Sequence, residues 1–464
     1  MLRYKVSPRL RDEGETICLG CNLASINEIT HVNLGKLSEQ GSRPQVVLGF
    51  AREVVTGIFG QRGSGKSYTL GTIIEALGAK DAGANIGLNV NDRAVLLLDT
   101  LNIYQYVAVP VSKIPDDSLR RTLAAKIVGF GLKETDISIR TYYPEGRHQG
   151  FYTSRYEPFA LDTSLIRPED FAHIFEIDLF RDPTGHLLLA AFDAVKNTGY
   201  TYNSIAQAGK EEAGLSELIE YLSDETNTAD SFERTTVRAL RSRLQSLARD
   251  ELFSSTSTSL SSMVRAGEVT ILLLGHLAPP MRSLTAAILV RQLFNLRSAA
   301  SEANKTLRLD STISDDERAV ALQTIETSPP RTLLCIDEAQ GYAPPSKANP
   351  CTSILIQYVK EGRNHGLSLM IASQQPSAIH PEILSQVDCV VAHRLTVQSD
   401  IDAVIRNAKG RFPDKMSSGT QTLSVHDLLR ELAQGQAYIS HGDTTRAFIT
   451  EIRPRVTAHG GIEG

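Results

Sequence analysis

Tryptophan is absent from this chain, and aromatic residues fill only 6% of its 464 positions. Little therefore supports a stacking platform for single-stranded nucleic acid, in which base after base lies on an aromatic face. Cysteine is scarce and odd in number: Cys18, Cys21, Cys335, Cys351 and Cys389. That scatter is no disulfide framework. Cys18 and Cys21 form a C-x-x-C pair, but no second pair follows at zinc-site spacing. Residues three apart on the strand expected there point to opposite faces, which disfavours a metal. No apolar run reaches the length of a membrane span, and no secretory signal pattern opens the chain. A cytoplasmic location with no membrane partner is the expectation. The net charge of −5 argues against a histone-like binder. It does not exclude nucleic acid, because positive charge can be confined to one part of a surface.

What is present is more specific. Gly60-Gln61-Arg62-Gly63-Ser64-Gly65-Lys66-Ser67 fits the phosphate-binding loop pattern of Gly, four residues, then Gly-Lys-Ser. An apolar run from Val54 to Phe59 leads into it, and a helical pattern from Ser67 to Leu77 leads out. This strand-to-helix setting is what the loop needs, because backbone N–H groups and a helix N-terminus together cradle polyphosphate. The backbone of Gly60, Gly63, Ser64, Gly65, Lys66, Ser67 and Tyr68 is the expected cradle. Lys66 would reach the β- and γ-phosphates, and the Ser67 hydroxyl would hold Mg²⁺. The chain is expected to bind a nucleoside triphosphate, with ATP and Mg²⁺ as cofactors.

Three β-like runs (15–19, 29–34 and 45–50) suggest a small N-terminal β module over residues 1–50. Continuous apolar runs at 94–99, 269–274, 333–338, 367–372 and 387–392 suit parallel strands covered on both faces. Between about 111 and 267 helical periodicity dominates, which marks a mostly helical insertion. A helix is expected from about 283 to 303, then a polar stretch with Asp315, Asp316 and Glu317 before Pro329-Pro330. The end reads as a β-hairpin around His441-Gly442-Asp443. Strands alternating with helices predict an α/β fold: a P-loop NTPase core with a mainly parallel sheet over 51–110 and 268–464.

Leu333-Leu334-Cys335-Ile336-Asp337-Glu338 delivers two carboxylates at the C-terminal end of a strand, where open α/β sheets bind ligands. Asp337 would hold the Mg²⁺ shell, and Glu338 would polarise the attacking water as general base. At the tip of the strand 367–372, Gln374 is placed to sense the γ-phosphate or to position water. Arg363 and Arg394 are candidates for neutralising transition-state charge across a subunit boundary.

The ordered set Gly60–Ser67, Leu333–Glu338, Glu361-Gly362-Arg363, Ser373-Gln374-x-Pro376-Ser377, Leu384-Ser385-Gln386 and His393-Arg394-Leu395-Thr396 resembles the HerA family. Those are hexameric ATPases on the HerA/FtsK branch of P-loop motors. The closing Ile452-Arg453-Pro454-Arg455…His459-Gly460-Gly461 is similar to the end of such proteins. The resemblance covers about residues 29–110 and 265–461 and implies a RecA-like core. By that resemblance Lys66 and Ser67 are the phosphate-loop residues, Asp337 and Glu338 the acidic pair, and Gln374 the strand-tip glutamine. Arg363 matches the arginine associated with catalysis in trans, and Arg394 another recurrent arginine. The family implies a homo-hexamer that translocates double-stranded DNA alongside a separate nuclease or effector, in end resection or antiviral defence. Two departures stand out. Gln375 occupies a position where members often carry arginine, and only Val32-Asn33-Leu34-Gly35-Lys36-Leu37 echoes the N-terminal barrel of longer members.

Within the insertion, Arg234, Arg238, Arg241 and Arg249 fall near one helical stripe beside Val237, Leu240, Leu244 and Leu247. A basic stripe suits DNA backbone contact. A solvated outer face with the apolar stripe packed inward is the favoured reading. No nuclease cluster accompanies the ATPase residues, so a nuclease would be a separate protein. The competing functional reading is a nucleotide-gated scaffold that sets the assembly of a defence effector with little translocation.

Overall fold

The computed structural model describes residues 16–38, 43–147, 156–253, 257–345, 349–409, 415–418, 421–442 and 447–461. The chain opens with β1 (Thr16–Leu19), β2 (His31–Leu37), β3 (Gln45–Gly49) and β4 (Val55–Phe59). Helix α1 (Lys66–Leu77), β5 (Gly87–Leu88), β6 (Arg93–Asp99), α2 (Asp117–Phe130), β7 (Ile139–Pro144) and β8 (Glu157–Phe159) follow. Next come α3 (Pro168–Phe175), α4 (Pro183–Asp193), the hairpin β9 (Tyr200–Tyr202) and β10 (Ile205–Gln207), α5 (Leu215–Ser223), α6 (Arg234–Ala248) and α7 (Leu260–Met263). β11 (Val269–Leu273) leads to α8 (Pro279–Leu309), α9 (Asp315–Thr327), β12 (Arg331–Ile336), α10 (Pro350–Glu361) and β13 (Leu367–Ser373). After α11 (Pro381–Leu384), β14 (Cys389–Ala392) and α12 (Gln398–Asn407) come β15 (Lys415–Ser418), β16 (Gln421–Ser424) and α13 (Val425–Glu431). The antiparallel pair β17 (Gln436–His441) and β18 (Ala447–Ile452) comes last. Asp443, in the turn expected between them, lies outside the described residues.

One sheet runs β1-β3-β2-β18-β17-β14-β4-β13-β12-β6-β11-β7-β8, with β5 added beside β2. From β14 to β8 every neighbour is parallel, whereas β17, β18 and β2 attach antiparallel. The central strands are apolar throughout because alternate residues feed two cores. Leu334 and Ile336 of β12 face one core, with Leu96 and Leu98 of β6. Leu333 and Cys335 face the other, with Val95, Leu97 and the α1 residues Leu70, Ile73 and Ile74. The outcome is an α/β fold with a mainly parallel sheet, as the strand and helix pattern predicts, in the RecA-like form that the family resemblance implies.

Several local features differ from the sequence expectations. Segment 111–267 carries α2 to α7, but it also supplies β7 and β8 to the sheet edge. Its Leu187, Leu218, Leu240 and Leu244 join the same core as Leu96 and Ile336. The N-terminal strands extend the main sheet through β18. The acidic stretch 315–317 opens helix α9, because Ser314 and Glu317 form a capping box and acids suit a helix N-terminus.

Cys18 and Cys21 require a correction: they are joined as a disulfide. β1 ends at Leu19, and Gly20 turns the chain at φ +67°, so Cys21 is not on the strand and comes back beside Cys18. The opposite-face argument does not apply once the strand has ended. On α6 the stripe Val237, Leu240, Leu244 and Leu247 is buried, while Arg234, Arg238 and Arg249 are exposed and Arg241 half-buried. Arg234 pairs with Glu225 at 3.2 Å.

The end of the chain is fastened to α1 by a buried charge network. Glu75 and Arg453 are both 0% exposed and 2.5 Å apart. Arg453 also donates to Asn33 O, Thr72 O and Pro454 O, and Thr457 Oγ1 donates to Glu75 Oε2 at 2.7 Å. Such a pair is tolerated in a core only because its remaining donors and acceptors are satisfied.

Candidate nucleotide site

The C-terminal ends of β4, β13, β12, β6 and β14 bring the site together. β4 delivers the chain into the glycine-rich loop, and α1 begins at Lys66. Gly63 at φ +74° and Gly65 at φ +112° are left-handed, a conformation open to glycine. Gly60 is required for another reason, since a Cβ there would lie 2.4 Å from Ser64 Oγ and 2.7 Å from His393 Cβ. No side chain caps the first turn of α1, and its first helical bond runs from Thr69 N to Gly65 O. The N–H groups of Lys66, Ser67 and Tyr68 therefore lack helical acceptors and point to where an anion can sit.

β12 ends at Ile336 and presents Asp337 and Glu338 just beyond it, with Glu338 left-handed at φ +53°. Lys66 Nζ is 3.2 Å from Asp337 Oδ1, 2.9 Å from Glu338 Oε1 and 3.3 Å from Ser67 Oγ. Burial works against the Lys66 charge, but the two carboxylates outweigh it and raise the ammonium pKa. Burial also pushes the Glu338 carboxyl up. Lys66 and the hydrogen bonds from Gln374 and Gln340 reverse that and hold it below the usual range. Both partners are therefore charged in this arrangement.

Gln374 Nε2 donates to Glu338 Oε1 at 2.7 Å, and Gln340 Nε2 donates to Glu338 Oε2 at 2.7 Å. Ser373 Oγ fixes Gln340 in turn, donating to its Oε1 at 2.7 Å. Sequence reasoning selected Gln374 but missed Gln340, which lies two residues beyond the carboxylate on a turn with no motif of its own. It also missed Tyr104, whose hydroxyl donates to Asp337 Oδ2 at 3.0 Å, and Thr100, which donates to Asp337 O at 2.9 Å. Asp99 at the tip of β6 was visible only as a strand-end acid. It is fully buried, accepts from the N–H groups of Leu101, Ile103 and Tyr104, and is raised by burial to about 7. Asp99 thus shapes the loop that carries Tyr104 to the acidic pair.

His393, at the end of β14, is 0% exposed between Thr69 Oγ1 and Gln436 O, each 2.8 Å from a ring nitrogen. Burial holds its pKa down to about 4, so it is neutral at pH 7. Arg394 follows it. The Gln61 side-chain amide bridges the Arg394 guanidinium, at 3.0 and 3.3 Å, and Thr396 Oγ1, at 2.9 Å. Arg394 therefore stands at the phosphate loop of its own chain.

Arg363 does not. It precedes β13, whereas Gln374 follows that strand, so the two lie at opposite ends of seven residues or about 20 Å. Its guanidinium bonds Asp388 at 3.2 Å.

The donor set fits a nucleotide with its metal. Ser67 Oγ and Asp337 Oδ2 are hard oxygens 3.5 Å apart, and no group of three or more His, Cys, Asp or Glu that could hold an ion occurs among the described residues. Such hard oxygens are the donor type that Mg²⁺ takes, one or two from the protein with phosphates and water completing its shell.

The family model of the helicase HerA central domain matches residues 32–293, more than half of the chain. The chain belongs to that family. The HerA match runs through segment 111–267 and ends before β12, so Asp337, Glu338 and Gln374 stand on the geometry above. The DNA double-strand break repair helicase HerA of Pyrococcus furiosus is 24% identical over 269 residues, 54% of this chain and 48% of that protein. A probable HerA of Methanocaldococcus jannaschii is 31% identical over 68 residues, 15% of this chain and 14% of that protein. The chain thus matches about half the length of the first relative and less of the second. Among solved structures, VirB4 of Thermoanaerobacter pseudethanolicus aligns over 91% of this chain and 96% of its own, with a TM-score of 0.53 at 14% identity. That likeness supports the fold. Among the described residues no helix is long and apolar enough to cross a membrane.

Proposed function

We propose that the chain is the ATP-hydrolysing subunit of a HerA-type ring motor that moves along double-stranded DNA. One observation carries this reading: Lys66 sits on a carboxylate pair whose Glu338 is gripped by two amides. A passive nucleotide-binding loop has no use for a water-activating carboxylate held from both oxygens. In hydrolysis Lys66 leaves the acids for the β- and γ-phosphates. Glu338 then takes a proton from a water that attacks the γ-phosphorus as the bond to ADP breaks. Gln374 and Gln340 hold the carboxylate in line. Ser67 and Asp337 would hold Mg²⁺, which would supply charge neutralisation on the phosphates. Tyr104 fixes Asp337, and Arg394 fixes the loop through Gln61.

Arg363 serves a neighbouring subunit. At the wrong end of β13 for its own loop, it reaches a nucleotide only in a head-to-tail assembly, and head-to-tail contacts form a ring where the rotation between subunits closes. By family likeness that ring is a hexamer. Residues 51–110 and 268–464 form the motor, 111–267 an insertion and 1–50 a β module. The DNA acted on and a separate nuclease or effector, in end processing or antiphage defence, complete the reading. The P. furiosus relative's name, a double-strand break repair helicase, supports the DNA.

ATP turnover with and without duplex DNA, measured beside native mass, tests the proposal. A monomer with DNA-indifferent turnover that survives Glu338→Gln defeats it. A Glu338→Gln protein that keeps full partner activity favours the scaffold reading instead.

A further inference from the structure

At the end of the sheet remote from the phosphate loop, Asp388 sits at a junction of charge. Its Oδ2 accepts from Arg363 Nη2 at 3.2 Å and from Val55 N at 3.2 Å, while its Oδ1 accepts from Lys409 Nζ at 2.6 Å. Its backbone is pinned as well: Asp388 N donates to Val55 O at 2.7 Å, and Gly442 N donates to Asp388 O at 2.9 Å. The carboxylate is thus fixed to the first residue of β4 and adjoins the start of β14. The Asp388 side chain is 18% exposed, whereas those of Arg363 and Lys409 are 65% and 41% exposed. These three residues border a cavity of about 160 Å³ whose floor includes Val55, Leu367 and Leu369.

We infer that Asp388 is a positioning residue that holds Arg363 and Lys409 as a paired cationic site for the triphosphate on the neighbouring subunit. This rests on the ring reading above. A guanidinium carries five donors and an ammonium three. Arg363 spends one of these on Asp388, and Lys409 spends one on Asp388 and one on Gln386 O at 3.5 Å, so donors remain on both for phosphate oxygens. Two cations against one carboxylate leave a net positive charge, which suits the charge that develops on a transferring phosphoryl group. An exposed ion pair alone would contribute little to stability. A purely structural trio therefore predicts no change in turnover when the pairing is broken. Rigid placement predicts a loss, because misplacing a charged group lowers the rate without removing it.

The test uses the full chain in its assembled state and reads kcat and KM for ATP, thermal melting and subunit mixing. Asp388→Asn keeps an oxygen for Val55 N but loses the charge. It is expected to lower kcat by about tenfold with KM unchanged, and Asp388→Glu is expected to recover part of that. Lys409→Ala, which leaves β4 untouched, is expected to lower kcat several-fold and decides the matter if Asp388→Asn melts early. Mixing Asp388→Asn with Lys66→Ala subunits is expected to give more turnover than the two measured separately, since some interfaces then join an intact loop to an intact trio. Wild-type kcat in Lys409→Ala, or no gain on mixing, overturns the inference. If Arg363→Ala is inactive and rescued by mixing while Asp388→Asn and Lys409→Ala turn over normally, only the positioning role falls. If Arg363→Ala alone keeps full turnover, the ring reading falls with it.

Discussion

Lys66 Nζ donates to Glu338 Oε1 at 2.9 Å, so the cation expected to grip phosphate is held by the base expected to activate water. Binding of a triphosphate must break this pair, and breaking it frees the carboxylate. Phosphate gripping and base release become one event.

Lys66→Ala is therefore expected to lose ATP binding, while Glu338→Gln keeps it because a neutral amide holds Lys66 less tightly. Turnover in Glu338→Gln falls by about 10²–10⁴. Titration calorimetry with ATP, set beside phosphate release, separates the two. Equal loss of binding in both variants would count against this arrangement.

The two amides on Glu338 make separable contributions. Gln374→Ala and Gln340→Ala are each expected to lower kcat by about tenfold through loss of carboxylate placement, with ATP affinity retained. The double variant should lose less than the product of the single effects, since both act on one group. Steady-state kinetics on the four proteins gives the cycle.

His393 makes stability depend on pH. Its folded pKa is depressed from 6.5 to about 4 by burial, so the unfolded chain binds the proton more readily. Stability is complete above about pH 6.5 and declines as pH falls towards 4, by about 3 kcal/mol in all. His393→Gln should flatten this part of the curve of melting temperature against pH. A variant with the wild-type slope would remove His393 as its source.

Arg453→Ala takes from the buried Glu75 its closest cation. A loss of about 3–5 kcal/mol is expected in denaturant unfolding, as for other broken buried pairs. Because Glu75 lies on α1, the helix that starts at Lys66, ATP affinity should fall as well. Normal stability in Arg453→Ala would show that the end of the chain is not a brace.

The fold was largely legible in the sequence, and for a physical reason. A strand buried on both faces has to be apolar at every position, so β4, β6, β11, β12 and β13 announce themselves as continuous runs. The Cys18–Cys21 bond escapes the sequence reading because the opposite-face rule does not hold past the end of the run 15–19, where Gly20 at φ +67° turns the chain back. The acidic start of α9 reads only as a polar stretch until Ser314 and Glu317 are seen as a capping box. β8 has only three residues and β7 mixes Arg140 and two tyrosines into its run, so their place at the sheet edge is set by pairing, β7 on β11 and β8 on β7.

The sequence by itself determined the phosphate loop, the acidic pair and Gln374, because each needs a fixed residue type at a fixed spacing along the backbone. Only the tertiary structure decided that Glu338 is shared by Lys66, Gln374 and Gln340, and that Tyr104 reaches Asp337. Only it separated Arg394, beside the loop of its own chain, from Arg363 at the far end of β13. Parallel strands explain the difference. They gather every C-terminal tip at one edge, so residues hundreds of positions apart become neighbours there, while residues a few positions before each strand are carried to the opposite edge.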